Sequence, residues 1–440
     1  MFGFPGFNFC MPNMFCGNNI GGANPMNNLN NMGMQNNLNN FNICNMFNKM
    51  NCIKGIKNYQ SPMESSFANS VLQSLACLNC IQQWYNQLYQ FNCFQMNNFQ
   101  NSLTKQFFIL LNCLYSGNPV DSYNIIYQFN FECNKLYNNK NIQNDPFHFL
   151  YYFLELWHCE NNYIINPMFN AIKIANPDIN SMKNDSNMFN LYVNFFKSTQ
   201  NSVVSRNFFN ILKYETKCSN LDLNCSPLYY YSHNTILRFN VDKYKGFRDE
   251  LFPFQKGMNI NLDVCFKCLT GGNKKQCQLC GNFETDNFIS LFFSSKVLIF
   301  AFKRNNHLFK CDIDFDIKIN IGNYCNQNIN GTNNTIYNLK ACIGINNYGR
   351  YFADVLINGN WYRFLDDQCM QIYDFYNQLH SFEPQILIYE LEEAQNFQNF
   401  PFFNNNFFTQ LNQFQQKQQL MQIGNWNIVT QNYNLIKGLK

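Results

Sequence analysis

An α+β fold, with helices first and antiparallel strands after, is predicted from three features of this 440-residue chain. From about residue 53 onward apolar side chains recur every three or four positions, the spacing of a helix face. Beyond about residue 205 the texture changes to short alternating or β-branched runs, which read as strands. Both ends are Asn- or Gln-rich and carry no such period. One folded unit is therefore expected over residues 51–392, flanked by two tails.

The elements follow in order. Residues 1–50, with "NNLNNMGMQNNLNNFN" at their heart, are expected to be a disordered tail. Phe67, Val71, Leu72, Leu75 and Leu78 fall on one face of a first helix, and residues 81–115 carry more helical spacing. "NDPFHFLYYFLELWHCE" (Asn144–Glu160) predicts another helix, with Asp145 as N-cap and Pro146 in the first helical position. The runs "TILRFNV", "KVLIFAFKR", "CDIDFDIKINI", "YFADVLI", "NWYRFL" and "PQILIYEL" predict strands. Residues 393–440 form the second tail, and no internal repeat of fixed period is visible.

Composition narrows the function. Charged residues make up 13 % of the chain, against a usual share of about 25 %. Net charge is +4, from 31 basic and 27 acidic residues, with no basic run, which argues against direct nucleic-acid binding. The N-terminus lacks the basic and apolar regions of a signal peptide. No segment reaches about 18 uncharged apolar residues, so no membrane span is predicted. "ISLFFSSKVLIFAF" comes nearest, interrupted by Lys296 and a serine pair. Twenty cysteines without a secretory signal point to a reducing, intracellular location, cytoplasmic or nuclear. There, close cysteine pairs bind metal more often than they form disulfides. "CFKCLTGGNKKQCQLC" supplies Cys265, Cys268, Cys277 and Cys280 as C-x2-C-x8-C-x2-C, the bite of a structural zinc site. Gly271 and Gly272 would allow the reversal between the pairs.

Several separated blocks then carry a family resemblance. Gly55-Ile56-Lys57-Asn58 is similar to G-L-x-N. Ser66 to Gln73, "SFANSVLQ", is similar to C-Y-x-N-S-x-L-Q. Gln143-Asn144-Asp145 with Phe149-Leu150 is similar to Q-Q-D-A-x-E-F-L. Lys296 to Ile299 with Lys303-Arg304, Gly349 to Ala353, Trp361 to Asp366 and Gln385 to Glu390 match P-x-V-L-x-x-x-L-K-R-F, G-H-Y-x-A, W-x-x-F-N/D-D and a closing A-Y-x-L-x-Y strand. In this order the chain resembles the ubiquitin-specific proteases over roughly residues 53–392. The resemblance implies a papain-like fold with a helical thumb, a β palm and zinc-bearing β fingers. It also brings Cys218 and Cys225 near the family's first finger pair, so a zinc site combining them with Cys277 and Cys280 is a second possibility.

The family's chemistry needs a cysteine, a histidine that takes its proton, and an Asn or Asp that orients the histidine. At the matching positions stand Ser66, Arg350 and Leu365. A guanidinium has no acceptor lone pair, and leucine neither donates nor accepts a hydrogen bond. The oxyanion Asn, five residues before the cysteine in the family, corresponds to Asn58, eight residues before Ser66 across "YQSPMES". The five histidines are His148, His158, His233, His307 and His380; none is expected to substitute for the missing base, and His148 reads as a partly buried helical residue. Cys77 and Cys80 read as core residues, and Asp366 and Asp367 as a strand-end surface pair.

The resemblance thus implies a catalytically inactive homologue in the deubiquitination system. It would act as a ubiquitin-binding or scaffold module with ubiquitin or a ubiquitinated protein as partner. Asp145 and Tyr351 match residues beside the channel for ubiquitin's basic tail. The alternatives are an active ubiquitin carboxyl-terminal hydrolase with an unorthodox site, or a structural subunit of an RNA-processing assembly.

Overall fold

The computed structural model describes residues 54–58, 62–90, 102–137, 144–162, 179–218, 225–251, 259–269, 277, 279–281, 285–304, 313–325, 335–374 and 382–392. The tails expected over residues 1–50 and 393–440 lie outside them. The N-terminal part is helical: α1 (Pro62–Ala76), α2 (Asn79–Gln90), α3 (Leu103–Ser116), α4 (Tyr123–Tyr137), α5 (Pro146–Asn161), α6 (Ile179–Met182), α7 (Asp185–Thr199) and α8 (Val203–Phe208). Strands follow: β1 (Asn210–Cys218), β2 (Leu228–Asn234) and β3 (Leu237–Asn240), then α9 (Val241–Leu251), β4 (Ile260–Asn261) and α10 (Leu262–Leu269). The chain closes with β5 (Thr285–Phe293), β6 (Val297–Lys303), β7 (Ile313–Asp314), β8 (Lys318–Asn320), β9 (Ile336–Ile345), β10 (Tyr351–Ile357), β11 (Asn360–Leu365), β12 (Gln368–Ile372) and β13 (Glu383–Leu391). No helix among the described residues is long and apolar enough to cross a membrane.

The palm is a sheet of order β12-β11-β10-β9-β13-β6-β3, with β8 pairing β9. All its pairs are antiparallel except β3 with β6. A smaller antiparallel sheet, β2-β1-β5, forms the fingers. The uninterrupted run "VLIFAF" has a simple cause: the palm is covered on both faces, so every residue of the run is buried. Val297, Ile299 and Ala301 of β6 join Ile386 and Ile388 of β13 in a core shared with the helices. Leu298, Phe300 and Phe302 join Leu387 and Tyr389 in a second core on the other face.

The thumb helices fill the first core. Phe67, Val71, Leu72 and Leu75 are buried as their spacing predicts. The opposite side of α1 is buried too, but with polar groups: Ser65, Ser66, Asn69, Ser70, Gln73 and Ser74. Ser70 Oγ donates to Phe67 O at 2.8 Å and Ser74 Oγ to Ser70 O at 2.7 Å, so these hydroxyls are satisfied within the helix. A helix with one apolar and one polar buried side runs between two surfaces, here α5 and β10. The predicted cap of α5 is present: Asp145 Oδ1 accepts from His148 N at 3.0 Å, and Pro146 opens the helix. Two carboxylates cap other thumb helices. Glu160 accepts from Leu103 N and Thr104 N at 2.9 and 2.8 Å, and Glu390 of β13 accepts from Asn79 N and Cys80 N at 3.2 and 3.1 Å. The second pair of contacts ties thumb to palm.

Candidate functional site

Three turns set the geometry of the cleft between α1 and the palm. The β9–β10 loop closes on Asn346, whose Oδ1 accepts from Tyr348 N and Arg350 N, both at 3.0 Å. Gly349 takes the left-handed conformation this loop needs, with φ of 74°. Arg350 is thereby held at the foot of β10. The β11–β12 turn places Asp366 at a φ of 58°, tolerable for aspartate, and turns its carboxylate inward. Gly55 lies against this turn so closely that a Cβ there would sit 1.9 Å from Asp366 O. The glycine that opens the chain's first motif is required by that approach.

The side chains then meet. Arg350 Nη2 donates to Asp366 Oδ2 in an ion pair whose carboxylate side chain is completely buried. Asp366 Oδ1 accepts from Asn69 Nδ2 at 2.9 Å. Asn69 Nδ2 also donates to Asn58 Oδ1 at 3.1 Å and Ile56 O at 3.3 Å, and Ser65 Oγ donates to Asn58 Oδ1 at 2.8 Å. Asn58 therefore reaches α1 even across the longer connection. Part of that connection is helical: Pro62 to Ser65 form the first turn of α1, so Ser66 lies beyond the four N–H groups that a helix start leaves unbonded. Ser66 is 1 % exposed, and its Oγ accepts from Tyr351 N at 3.5 Å.

Hydrogen bonds thus join Asn58, Asp366 and Arg350 through Asn69, with Ser66 beside them at Tyr351 N, and the place of Asp366 differs from the sequence expectation. Asp366 is not a surface residue. It is buried because the tight turn directs it at Arg350 and Asn69, while Leu365 ends β11 half-buried, opposite Gln368. Both carboxylate oxygens of Asp366 are engaged, and Arg350 offers only donors. Among the described residues, none is placed to accept a proton from the Ser66 hydroxyl. Two other histidines are committed elsewhere: His158 contacts Ser202 Oγ at 2.6 Å and Gln200 Oε1 at 2.7 Å, and His233 meets Tyr192 Oη at 3.0 Å. His307 and His380 lie outside the described residues.

Beside the cleft, Asp145 takes His148 as a side-chain partner as well as capping its N–H. Arg238 of β3, which sequence reading overlooked, lies 3.9 Å over the Phe147 ring and within the electrostatic reach of Asp145. Tyr351 lies in the same field. Burial first, and the Asp145 carboxylate second, push its phenol above the usual value.

In the fingers, Cys218, Cys225, Cys277 and Cys280 bring their sulfurs within 4.8 Å of one another, with Cys218 and Cys280 at 3.6 Å. Four thiolates about 2.3 Å from a tetrahedral zinc lie roughly 3.8 Å apart, so the cluster fits that ion. Desolvation and then the adjoining thiols Cys280 and Cys277 raise Cys225 to about 12, a mutual resistance to ionisation that a bound dication reverses. With four thiolates no coordination position is left open, so the metal's role is structural. The set Cys265, Cys268, Cys277 and Cys280 is corrected. Cys265 and Cys268 lie on α10, and Cys265 is wholly buried in the second core. The side chain of Cys268 lies outside the described residues. The i, i+3 spacing that suggested a metal knuckle here belongs to a helix. Cys218 ends β1 opposite Thr285, which brings it to the segment containing Cys280.

The sequence matches the family model of ubiquitin carboxyl-terminal hydrolase over residues 55–389. No curated protein matches it significantly. Solved structures share the fold. A Ubp8-Sgf11-Sgf73-Sus1 SAGA DUB module aligns at 14 % identity and a TM-score of 0.53, covering 79 % of this chain and 69 % of that one. A yeast SAGA DUB module with an Sgf73 mutation aligns at 15 % identity and a TM-score of 0.53, covering 79 % and 70 %. A module bound to monoubiquitin gives 15 % identity and a TM-score of 0.52, over 79 % and 70 %.

Proposed function

This chain belongs to the ubiquitin carboxyl-terminal hydrolase family, and we propose that within it the chain has lost the peptidase reaction and works as a ubiquitin-binding or scaffold module of the deubiquitination system. The observation that carries this reading is the Arg350–Asp366 ion pair, which stands where a proton acceptor must be. Acyl transfer needs a nucleophile relieved of its proton and a leaving amine supplied with one. Among the described residues no base stands within reach of Ser66, and Arg350 cannot cycle a proton because guanidinium stays charged. Burial of Ser66, 1 % exposed with Tyr351 N against its hydroxyl, also closes the approach of a scissile carbonyl.

Retention of ubiquitin is supported by the parts the chemistry does not use. The finger sheet keeps its thiol cluster, and Asp145 and Tyr351 remain beside the cleft. One structural relative is a module bound to monoubiquitin, and others hold several further subunits. We extend both features to this chain: it contacts ubiquitin or a ubiquitinated protein inside an intracellular assembly. The test is a pair of assays on the purified chain. It should leave a ubiquitin C-terminal fluorogenic amide uncleaved and escape a cysteine-directed ubiquitin probe, while retaining ubiquitin in a competition pull-down from native extract. Turnover that disappears in Ser66→Ala would overturn the inactive reading, and assembly partners that ubiquitin does not displace would separate scaffold from ubiquitin binder.

A further inference from the structure

We infer that Arg238 is a resident occupant of a cation site at the start of α5, and that a basic peptide tail entering beside Asp145 must first displace its guanidinium from the Phe147 ring. This rests on the reading above, in which ubiquitin's basic tail passes Asp145, and adds the residue that holds the place when the tail is absent. Arg238 lies on β3, at one edge of the palm. Its neighbours Leu237 and Phe239 are buried in the second core, so strand alternation turns Arg238 to the face that meets the thumb. Ala301, its partner on β6, belongs to the core shared with the thumb helices. The guanidinium thereby reaches α5, where its Cζ stands 3.9 Å from the centroid of the Phe147 ring.

The first turn of α5 offers a cation two things. Phe147 presents a ring face, which attracts positive charge through its quadrupole. Asp145 presents a carboxylate that is 27 % exposed and spends two acceptor positions on its own helix, Oδ1 on His148 N at 3.0 Å and Oδ2 on His148 Nδ1. A carboxylate has about four such positions, so about two remain for a visiting donor.

The hold on Arg238 is weak. Among the described residues its side chain has no hydrogen bond and no ion pair to add to the ring contact. Asp145 acts on it only through space: burial lowers the guanidinium from its ordinary value, and the Asp145 charge opposes that shift. The residue as a whole stays exposed, and an exposed cation–π contact is of a strength that a second cation can exchange. An incoming arginine that reached the Asp145 carboxylate would gain charge-assisted hydrogen bonds that Arg238 lacks. The two cations repel and compete for one ring, so Arg238 lowers the affinity for a basic tail.

Fluorescence anisotropy with two labelled probes tests this: ubiquitin, and a short peptide carrying two arginines and no acid. Arg238→Gln keeps the length and removes the charge, and should tighten both by about threefold or more. Arg238→Lys keeps the charge and should tighten neither. The gain should vanish on an Asp145→Asn background, where the helix cap survives because asparagine caps as well as aspartate. Unchanged far-ultraviolet circular dichroism confirms that the variants keep the fold. Affinities indifferent to Arg238→Gln overturn the inference. So does an equal gain in Arg238→Lys, or a gain that persists with Asp145→Asn. The two readings fail separately. A peptide that tightens while ubiquitin stays unbound supports the site and removes ubiquitin as the source of the tail. Ubiquitin bound equally by wild type and Arg238→Gln removes the site and leaves the ubiquitin reading.

Discussion

The fingers and the cleft of this molecule treat their reactive side chains in opposite ways. In the fingers, four thiols converge to within 4.8 Å from β1, the approach to β2 and the turn before β5. In the cleft, Arg350 and the buried Asp366 form an ion pair instead. The difference shows which demands on the two regions are separable. A thiol cluster that holds a metal can be exchanged only for another complete set of ligands. A proton acceptor can be exchanged for any group that fills the volume and satisfies the neighbouring polar atoms. Arg350 bridges to Asp366, and Asn69 and Asn58 complete the connection to α1, while among the described residues the guanidinium Nε and Asn69 Oδ1 stay buried without a hydrogen-bond partner.

Metal removal is the largest way to break this contrast. Purified chain should contain about one zinc. Chelation, or Cys277→Ser, should cost several kcal/mol, a part of the ~10–16 kcal/mol that structural zinc can supply. Loss should appear first as exchange of β1, β2 and β5 amides. A metal-free chain that keeps those amides protected removes the distinction between the two regions. Next in size, Asp366→Ala should destabilise by about 3 kcal/mol in urea unfolding, since the Arg350 charge and the Asn69 amide lose their acceptor. A change below about 0.5 kcal/mol would mark the pair as a surface interaction rather than the cleft's filling. Smallest is the gain expected from repair. Ser66→Cys combined with Arg350→His and Leu365→Asn supplies nucleophile, base and orienter. The eight-residue step from Asn58 to residue 66 remains, and a misplaced oxyanion donor there is expected to cost about 10²–10³ in rate. Di-ubiquitin cleavage by that triple variant should therefore stay far below that of an active relative. Equal rates would clear "YQSPMES" of blame.

Much of this was legible because residue type and periodicity report directly on local structure. The Asp145-Pro146 cap, the buried face of α1 and the strands β3, β6, β10, β11 and β13 each follow from such signals. "CDIDFDIKINI" predicts one strand, yet only β7 and β8, two and three residues long, form within it. Alternation alone does not supply a partner along its whole length. The strands β1, β2, β5, β9 and β12 had no clear signal of their own. In the site, Ser66, Arg350 and Leu365 were found by their position in motifs. Asp366 was missed because its burial depends on a left-handed turn residue and on Gly55, more than 300 positions away. Arg238 was missed for a similar reason: its ring partner, Phe147, is remote in sequence. Cys265 misled because three-residue spacing serves a metal knuckle and a helix equally.

The strand order of the palm bears on how the chain is made. β13, the last described element, is not an edge strand: it lies between β9 and β6, with Ile386 opposite Ala301 on one side and Ile343 on the other. While the ribosome is still producing the chain, β6 and β9 have been synthesised but lack the strand that joins them. Each presents an apolar run with an open hydrogen-bonding edge, the condition under which nascent chains pair with the wrong neighbour. The palm can close only when Leu391 has cleared the exit tunnel. A stop before β13 would leave β6 and β9 without the strand that joins them.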